Sequence, residues 1–291
     1  MFDLRYHVAS LAAVFLALVI GILVGVGLSG RGFVDDAERT NLNNQIRDLR
    51  EERAAADELL DAAERRARAM QDFAAVSYST LVSRRLDGVS VGLVFAGEVD
   101  RNVDFAVRQA VTDGGGRLLR TRAIVLPLPV DDLGGALAED TVLVQYLGKG
   151  GLGRLGRDLG RELVAGGRTP LWEDMTRLIV AERGGPAAPP VDAVVVVRTE
   201  PPQRGPTGEF LTGLYTGLAR SAVPAVGVEI TGTEPSTVPV FQRHGLSTVD
   251  GVETPAGRLA LVLLLAGGQP GSYGVAATAN DGVLPSLPAP E

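Results

Sequence analysis

The apolar positions of this chain fall into three successive patterns: one unbroken run, one heptad repeat, and then short runs alternating with helical spacing. Val8 to Leu28 holds twenty-one residues without a charged side chain. At the helical rise that length covers about 30 Å, the hydrocarbon thickness of a bilayer. The run therefore predicts a transmembrane helix over 8–29. Gly27, Leu28 and Ser29 also look like a small-residue cleavage site, so a cleaved signal peptide is the competing reading. The run is longer than an ordinary signal core, which favours the anchor. Ala9, Ala13, Ala17, Gly21, Gly25 and Ser29 recur at every fourth position. Such a stripe lets two membrane helices approach closely, and Ala13, Ala17, Gly21 and Gly25 are the expected dimer face.

The second pattern runs from Asp35 to Leu81, without Gly or Pro and rich in Arg, Glu, Asp and Ala. Ile46, Arg53, Leu60, Ala67, Ala74 and Leu81 take a positions; Leu42, Leu49, Ala56, Ala63, Met70 and Ser77 take d. This alternation predicts a coiled coil over 35–85, projecting about 70 Å. Leu42, Ile46, Leu49, Leu60 and Met70 form its expected seam, joining two copies as a parallel homodimer. Alanine keeps that seam narrow, and Arg53 at an a position costs stability while helping to set register.

The third pattern predicts an α/β domain over 88–275. Val89–Phe95, Leu118–Leu126, Ala193–Val197, Ala225–Ile230 and Leu246–Val249 read as strands. Asp100–Asp113, Glu209–Ala219, Ser236–Arg243 and Arg258–Ala266 read as helices, the last with Pro255 placed for a first turn. Asp131–Ala181 reads as mostly helical, with Thr141–Tyr146 open to a strand reading. The alternation points to a mostly parallel, Rossmann-like sheet with helices on both faces. The stretch 276–291, with Pro285, Pro288 and Pro290, reads as a disordered tail.

Charge decides the expected orientation. Arg5 and the amino terminus precede the apolar run, whereas Arg31, Asp35, Asp36 and Glu38 follow it. Positive charge favours the cytoplasmic side, so residues 1–7 are expected in the cytoplasm and the α/β body outside the cell membrane. The net charge of −7 argues against nucleic acid as a partner. The absence of cysteine removes disulfides, thiolate metal sites and thiol nucleophiles.

Three motifs suggest chemistry. Gly148, Gly150 and Gly153 fit G-x-G-x-x-G around Lys149, with Glu173 about twenty residues on, but the preceding strand is doubtful and a flexible glycine loop is the simpler reading. Glu98, Glu200, Glu229 and Asp250 fall at strand ends, the edge where open α/β sheets bind ligands; helix capping and solvation are the plainer roles. His244 stands without a serine or acid in a recognisable motif. No catalytic residue, cofactor or resident metal follows, and the expectation is a non-enzyme.

Two terminal segments carry a family resemblance. Leu4-Arg5-x-His7 and the run Ser10 to Leu18 resemble the amino terminus of the mycobacterial copper transport protein B family. Ser247 to Asp250, Gly257-Arg258, Gly267-Gly268 and Gly271-x-Tyr273-Gly274-Val275 are similar to its closing motifs. The resemblance implies an actinobacterial cell-envelope protein linked to copper efflux and homeostasis. It also implies an alternative, a coiled-coil regulator of a peptidoglycan hydrolase in cell separation. Copper(I) favours Cys, Met and His, and the chain holds no Cys, three Met and two His. Copper handling is therefore expected to be indirect, and the chain to act as a dimeric scaffold. Glu229, Asp250, Arg258 and Tyr273 are the candidate ligand or partner site, and an enzyme or receptor using the strand-end acids is the rival class.

Overall fold

A computed structural model describes residues 4–28, 31–168 and 170–286 of the chain, with side chains over 6–27, 38–168 and 170–286. Met1, Ser29, Pro288 and Pro290 lie outside the described residues, as do the side chains of Arg5, Arg31, Asp35 and Asp36. The chain divides into two units, 1–69 and 70–291.

The first unit is helical throughout its described length. Helix α1 spans Leu4–Leu28, and within it Tyr6–Gly27 has a mean hydropathy of 2.7 with no residue buried. That helix is long and apolar enough to cross a membrane. Helix α2, Arg31–Val82, begins in this unit. Arg47 with Glu51, Arg53 with Asp57, and Arg68 with Glu64 are exposed i,i+4 pairs along it, each contributing about 0.3–0.5 kcal/mol. Leu42, Ile46, Leu49 and Leu60 are all exposed.

In the second unit α2 finishes by joining a core. Tyr78 and Val82 are buried there, with Leu81 packed against them. The heptad positions Ala74, Ser77 and Leu81 are half-buried. The seam expected over 35–85 is thus open only as far as Met70, which is 71% exposed.

The sheet follows from period-2 burial. Strand β1, Ser90–Ala96, turns Val91, Leu93 and Phe95 to one face and Val94 and Ala96 to the other. Strand β4, Ala193–Arg198, likewise divides Ala193, Val195 and Val197 from Val194 and Val196. Because both faces are covered, these strands read as continuous apolar runs. β2 is Arg117–Ile124, β3 Val180–Gly184, β5 Ala225–Val228, β6 Ser247–Val249 and β7 Ser272–Tyr273. The seven strands are ordered β3-β2-β1-β4-β5-β6-β7, all parallel except the β2–β3 pair.

Helices α3 (Arg101–Asp113) and α9 (Pro255–Leu265) cover one face together with the end of α2. Helices α4 (Val130–Glu139), α5 (Gly151–Ala165), α6 (Pro170–Ile179), α7 (Gly205–Ala219) and α8 (Val238–Arg243) cover the other. The chain moves from β1 to β2 in one direction and from β4 to β5 to β6 in the other. Crossovers of one hand therefore put α3 and α7 on opposite faces. The connection through α9 departs from this: it lies on the α3 face although β7 continues outward beyond β6.

Several local expectations change. Thr141–Tyr146 is not a strand; Leu143–Tyr146 forms a 3-10 turn. The edge strands β3 and β7 have no counterpart in the sequence reading. Residues 276–286 of the expected disordered tail are hydrogen-bonded to the sheet edge. Asp281 accepts from the Ser272 amide at 2.8 Å, the Thr278 carbonyl accepts from Gln242 and Ser272, and Pro285 is buried.

Candidate functional site

The carboxyl edge of the sheet is where the strand-end acids meet the helix starts. Order reverses between β1 and β4, and in open parallel sheets that reversal leaves a crevice for ligand. Here it is bridged. The Thr199 hydroxyl donates to the Glu98 carbonyl at 2.8 Å, and the Thr199 amide to the Ala96 carbonyl at 3.1 Å. Gly97, at φ 119°, lies so close to Thr199 and Glu200 that a Cβ there would collide with both. The Glu98 side chain is exposed and that of Glu200 half-exposed.

Glu229 and Asp250 are buried, and each is occupied by donors of a loop further along the chain. Glu229 accepts from the Ser236 hydroxyl at 2.8 Å and from the Thr237 amide and hydroxyl at 2.6 and 2.8 Å. It holds the approach to α8, since buried carboxylate oxygens need donors. Asp250 accepts from the Val275 and Ala276 amides at 2.8 and 3.0 Å. A side chain at Gly274 would run into that carboxylate, so the glycine of the closing motif permits the contact.

Arg258 and Tyr273 serve other contacts. The Arg258 guanidinium lies 5.1 Å from the Tyr78 ring centroid and donates from Nη1 to Gln109 Oε1 at 3.0 Å. It clamps the end of α2 against α3 and α9, the geometry of a cation on an aromatic face. Burial, with Asp113 alongside, pushes the Tyr78 hydroxyl well above its ordinary pKa. Tyr273 donates its hydroxyl to the Gln269 carbonyl at 3.1 Å, while its own carbonyl accepts from the Asp250 amide at 3.1 Å. The structure thus brings Asp250 and Tyr273 together through backbone on neighbouring strands, and places the side chain of Arg258 elsewhere.

The G-x-G-x-x-G run has a different use from the flexible loop expected for it. Gly148 and Gly150 take positive φ, 76° and 74°, but a 3-10 turn precedes them rather than a strand. The Gly153 amide faces Glu209 Oε1 at 3.4 Å, an acid where a phosphate would have to lie. Gly153 instead begins a glycine stripe on α5, with Gly156 and Gly160, that meets Gly213 and Gly217 of α7 backbone to backbone.

Soft donors are dispersed. Met70 is exposed on α2, Met175 is buried in the core beside Trp172, and His244 lies 5.7 Å from Tyr215, ring centre to ring centre. Among the described residues no three His, Cys, Asp or Glu side chains group to hold a metal ion. His244 is held below its ordinary pKa by burial and then by Arg243. The unfolded chain then takes up this proton before the folded one, so stability declines as pH falls through about 6.5. The pH 5.5 melting temperature should lie closer to the pH 7.5 value in a His244→Gln variant than in the native chain; an unchanged gap would refute the assignment.

Sequence reasoning missed the buried arginines. Arg120 donates to the Leu163 and Pro189 carbonyls, and Arg122 to those of Thr121 and Gly184. Arg198, the last residue of β4, is 7% exposed. Its place at the end of a valine run was the one available signal.

Taken together, the described residues combine a helix long and apolar enough to cross a membrane, a long charged helix, and an α/β body whose buried strand-end acids Glu229 and Asp250 are occupied by hydrogen bonds. The family model described as copper transport outer membrane protein, MctB, matches residues 1–284. The chain belongs to that family. No curated protein matches it.

Proposed function

We propose that this copper transport family member acts as a membrane-anchored dimeric scaffold, with an exported Rossmann-like body carried on a paired-helix stalk. The observation that carries the reading is the open apolar seam of α2: Leu42, Ile46, Leu49, Leu60 and Met70 are exposed at heptad spacing on a helix of 52 residues. Isolated helices of that kind gain most of their stability from a partner, and a second copy presents the same face. The small-residue face at Ala13, Ala17, Gly21 and Gly25 supports pairing within the bilayer. A scaffold role is further supported by Glu229 and Asp250, whose oxygens are engaged by backbone and hydroxyl donors of loops within the same domain. Copper is cargo of the family process, and this chain's contribution to it is organisational.

The lack of native cysteine makes a direct test available. In full-length protein in cell membranes, Leu49→Cys and Leu60→Cys should form disulfide-linked dimers on mild oxidation, while Glu58→Cys on the outer face should not. A membrane-impermeant maleimide should label Glu58→Cys in intact cells. Equal cross-linking at all three positions would refute the stalk, and labelling only after lysis would refute the orientation.

A further inference from the structure

Arg198 is buried at the end of β4 and almost unused. Its one hydrogen bond among the described residues is a long donation from Nη2 to the Pro235 carbonyl, 3.4 Å, and its Nε is buried without a partner. No carboxylate pairs with it among the described residues. A guanidinium has five donors and keeps its charge in proteins. Arg120 and Arg122, equally buried, each reach two backbone carbonyls. The Nε of Arg120, like those of Arg157 and Arg258, is also buried without a partner among the described residues, so what sets Arg198 apart is that its whole guanidinium has one long hydrogen bond and borders a cavity.

Beside Arg198 is a second idle donor. Tyr215 of α7 is 1% exposed, its ring edge-on to Phe241 at 5.2 Å, and its hydroxyl has no partner among the described residues. Both residues border a cavity of about 300 Å³ between α7 and α8, along with Gln203, Leu211, Arg243 and His244, with the Tyr215 hydroxyl and the Arg198 Nε just beneath its wall. Among the described residues no acid lines this space. Glu229, the carboxylate whose field reaches Arg198, already accepts three hydrogen bonds from Ser236 and Thr237. Burial lowers the pKa of Arg198 by desolvation, as it does for Arg120 and Arg122, with Tyr215 and Glu229 acting in the opposite direction.

We propose that this cavity is a binding site for a small organic anion, whose phosphate or carboxylate group sits against the Arg198 guanidinium and the Tyr215 hydroxyl. Arg243 stands exposed at the site, and Gln203 with neutral His244 supplies further polar contact. Leu211, Pro202 and Val240 give the body of the ligand an apolar wall. The volume is at the low end of small-molecule sites, roughly 300–1,000 Å³, which suits a compact anion. Oxyanions are the class that planar guanidinium donors recognise best.

The test uses the full-length protein in detergent, titrated with inorganic phosphate and, separately, with succinate, by calorimetry and thermal melting. Saturable binding of at least one anion is expected. Arg198→Gln and Tyr215→Phe should each weaken it by about tenfold or more, as loss of a charge-assisted or buried hydrogen bond does. Phosphate alone marks a phosphoryl ligand, and succinate alone a carboxylate. Without anion, Tyr215→Phe should melt about 2–4 °C higher, because it deletes a buried hydroxyl with no partner. Neither anion binding, equal binding by all three proteins, or a lower-melting Tyr215→Phe would each overturn the proposal.

Discussion

Replacing Gly213 with leucine should lower the melting temperature of the α/β domain by about 6–12 °C, the equivalent of about 3 kcal/mol in a domain of this size. The reason is the contact between α5 and α7. A Cβ at Gly213 would strike the Gly153 carbonyl, and one at Gly156 the Phe210 carbonyl. At Gly160 a Cβ would sit 2.8 Å from the Leu214 carbonyl oxygen. In each case the obstruction is helix backbone, which has no rotamer to move. The two helices must separate, and Leu155, Leu159, Phe210 and Leu214, all fully buried nearby, lose packing with them. Gly156→Leu should behave in the same way. The control is Gly135→Ala on α4, where no atom lies within 4 Å of the added carbon. That change should raise stability by about 0.5–1 kcal/mol, since glycine is a poor helix residue. Thermal melts of the three variants decide the matter, and a Gly213→Leu protein melting like the native chain would remove the close-packed pair.

Glu229→Ala should cost about 3–5 kcal/mol in urea unfolding, because it strands three donors at once, two of them on buried Thr237. Glu229→Gln keeps one carbonyl acceptor and should cost about 1–2 kcal/mol. Asp250→Ala should follow, since the Val275 and Ala276 amides lose their acceptor and with it the anchorage of residues 276–286. Glu253 offers the contrast. It also accepts a backbone amide, that of Thr231, but at an exposed position. Its alanine variant should cost less than about 1 kcal/mol. Equal losses at Glu229 and Glu253 would show that Glu229 is not a staple, and would return it to the candidates for ligand chemistry.

These expectations show where sequence reading succeeded and where it stopped. Val91 to Phe95 and Val194 to Val197 were legible as buried strands, and Asp100 as a helix start. It caps α3 by accepting from the Asn102 and Val103 amides at 2.8 and 3.1 Å. Val180–Gly184 was not legible, because an exposed edge strand has no apolar alternation and forms only when β2 offers it hydrogen bonds. Gly148 to Gly153 was misleading: a glycine pattern says that backbone is approached closely, but not whether a phosphate or another helix does the approaching. Glu229 and Asp250 were correctly placed at strand ends, yet the donors that occupy them come from loops eight and twenty-five residues away. Arg198, at the end of a valine run, carried a signal of burial but none of idleness, since an idle arginine differs from a satisfied one only by what surrounds it.

By itself the sequence determined the anchor-length helix, the long charged helix and the alternating α/β body, because those depend on local period, length and charge. The two ends of the chain also sufficed to suggest the family. Only the tertiary structure decided that the heptad seam closes beyond Met70, that two glycine stripes lock α5 to α7, and which buried charges are answered. Those outcomes rest on contacts between residues far apart in the chain, and no local pattern encodes the partner that a folded neighbour supplies or withholds.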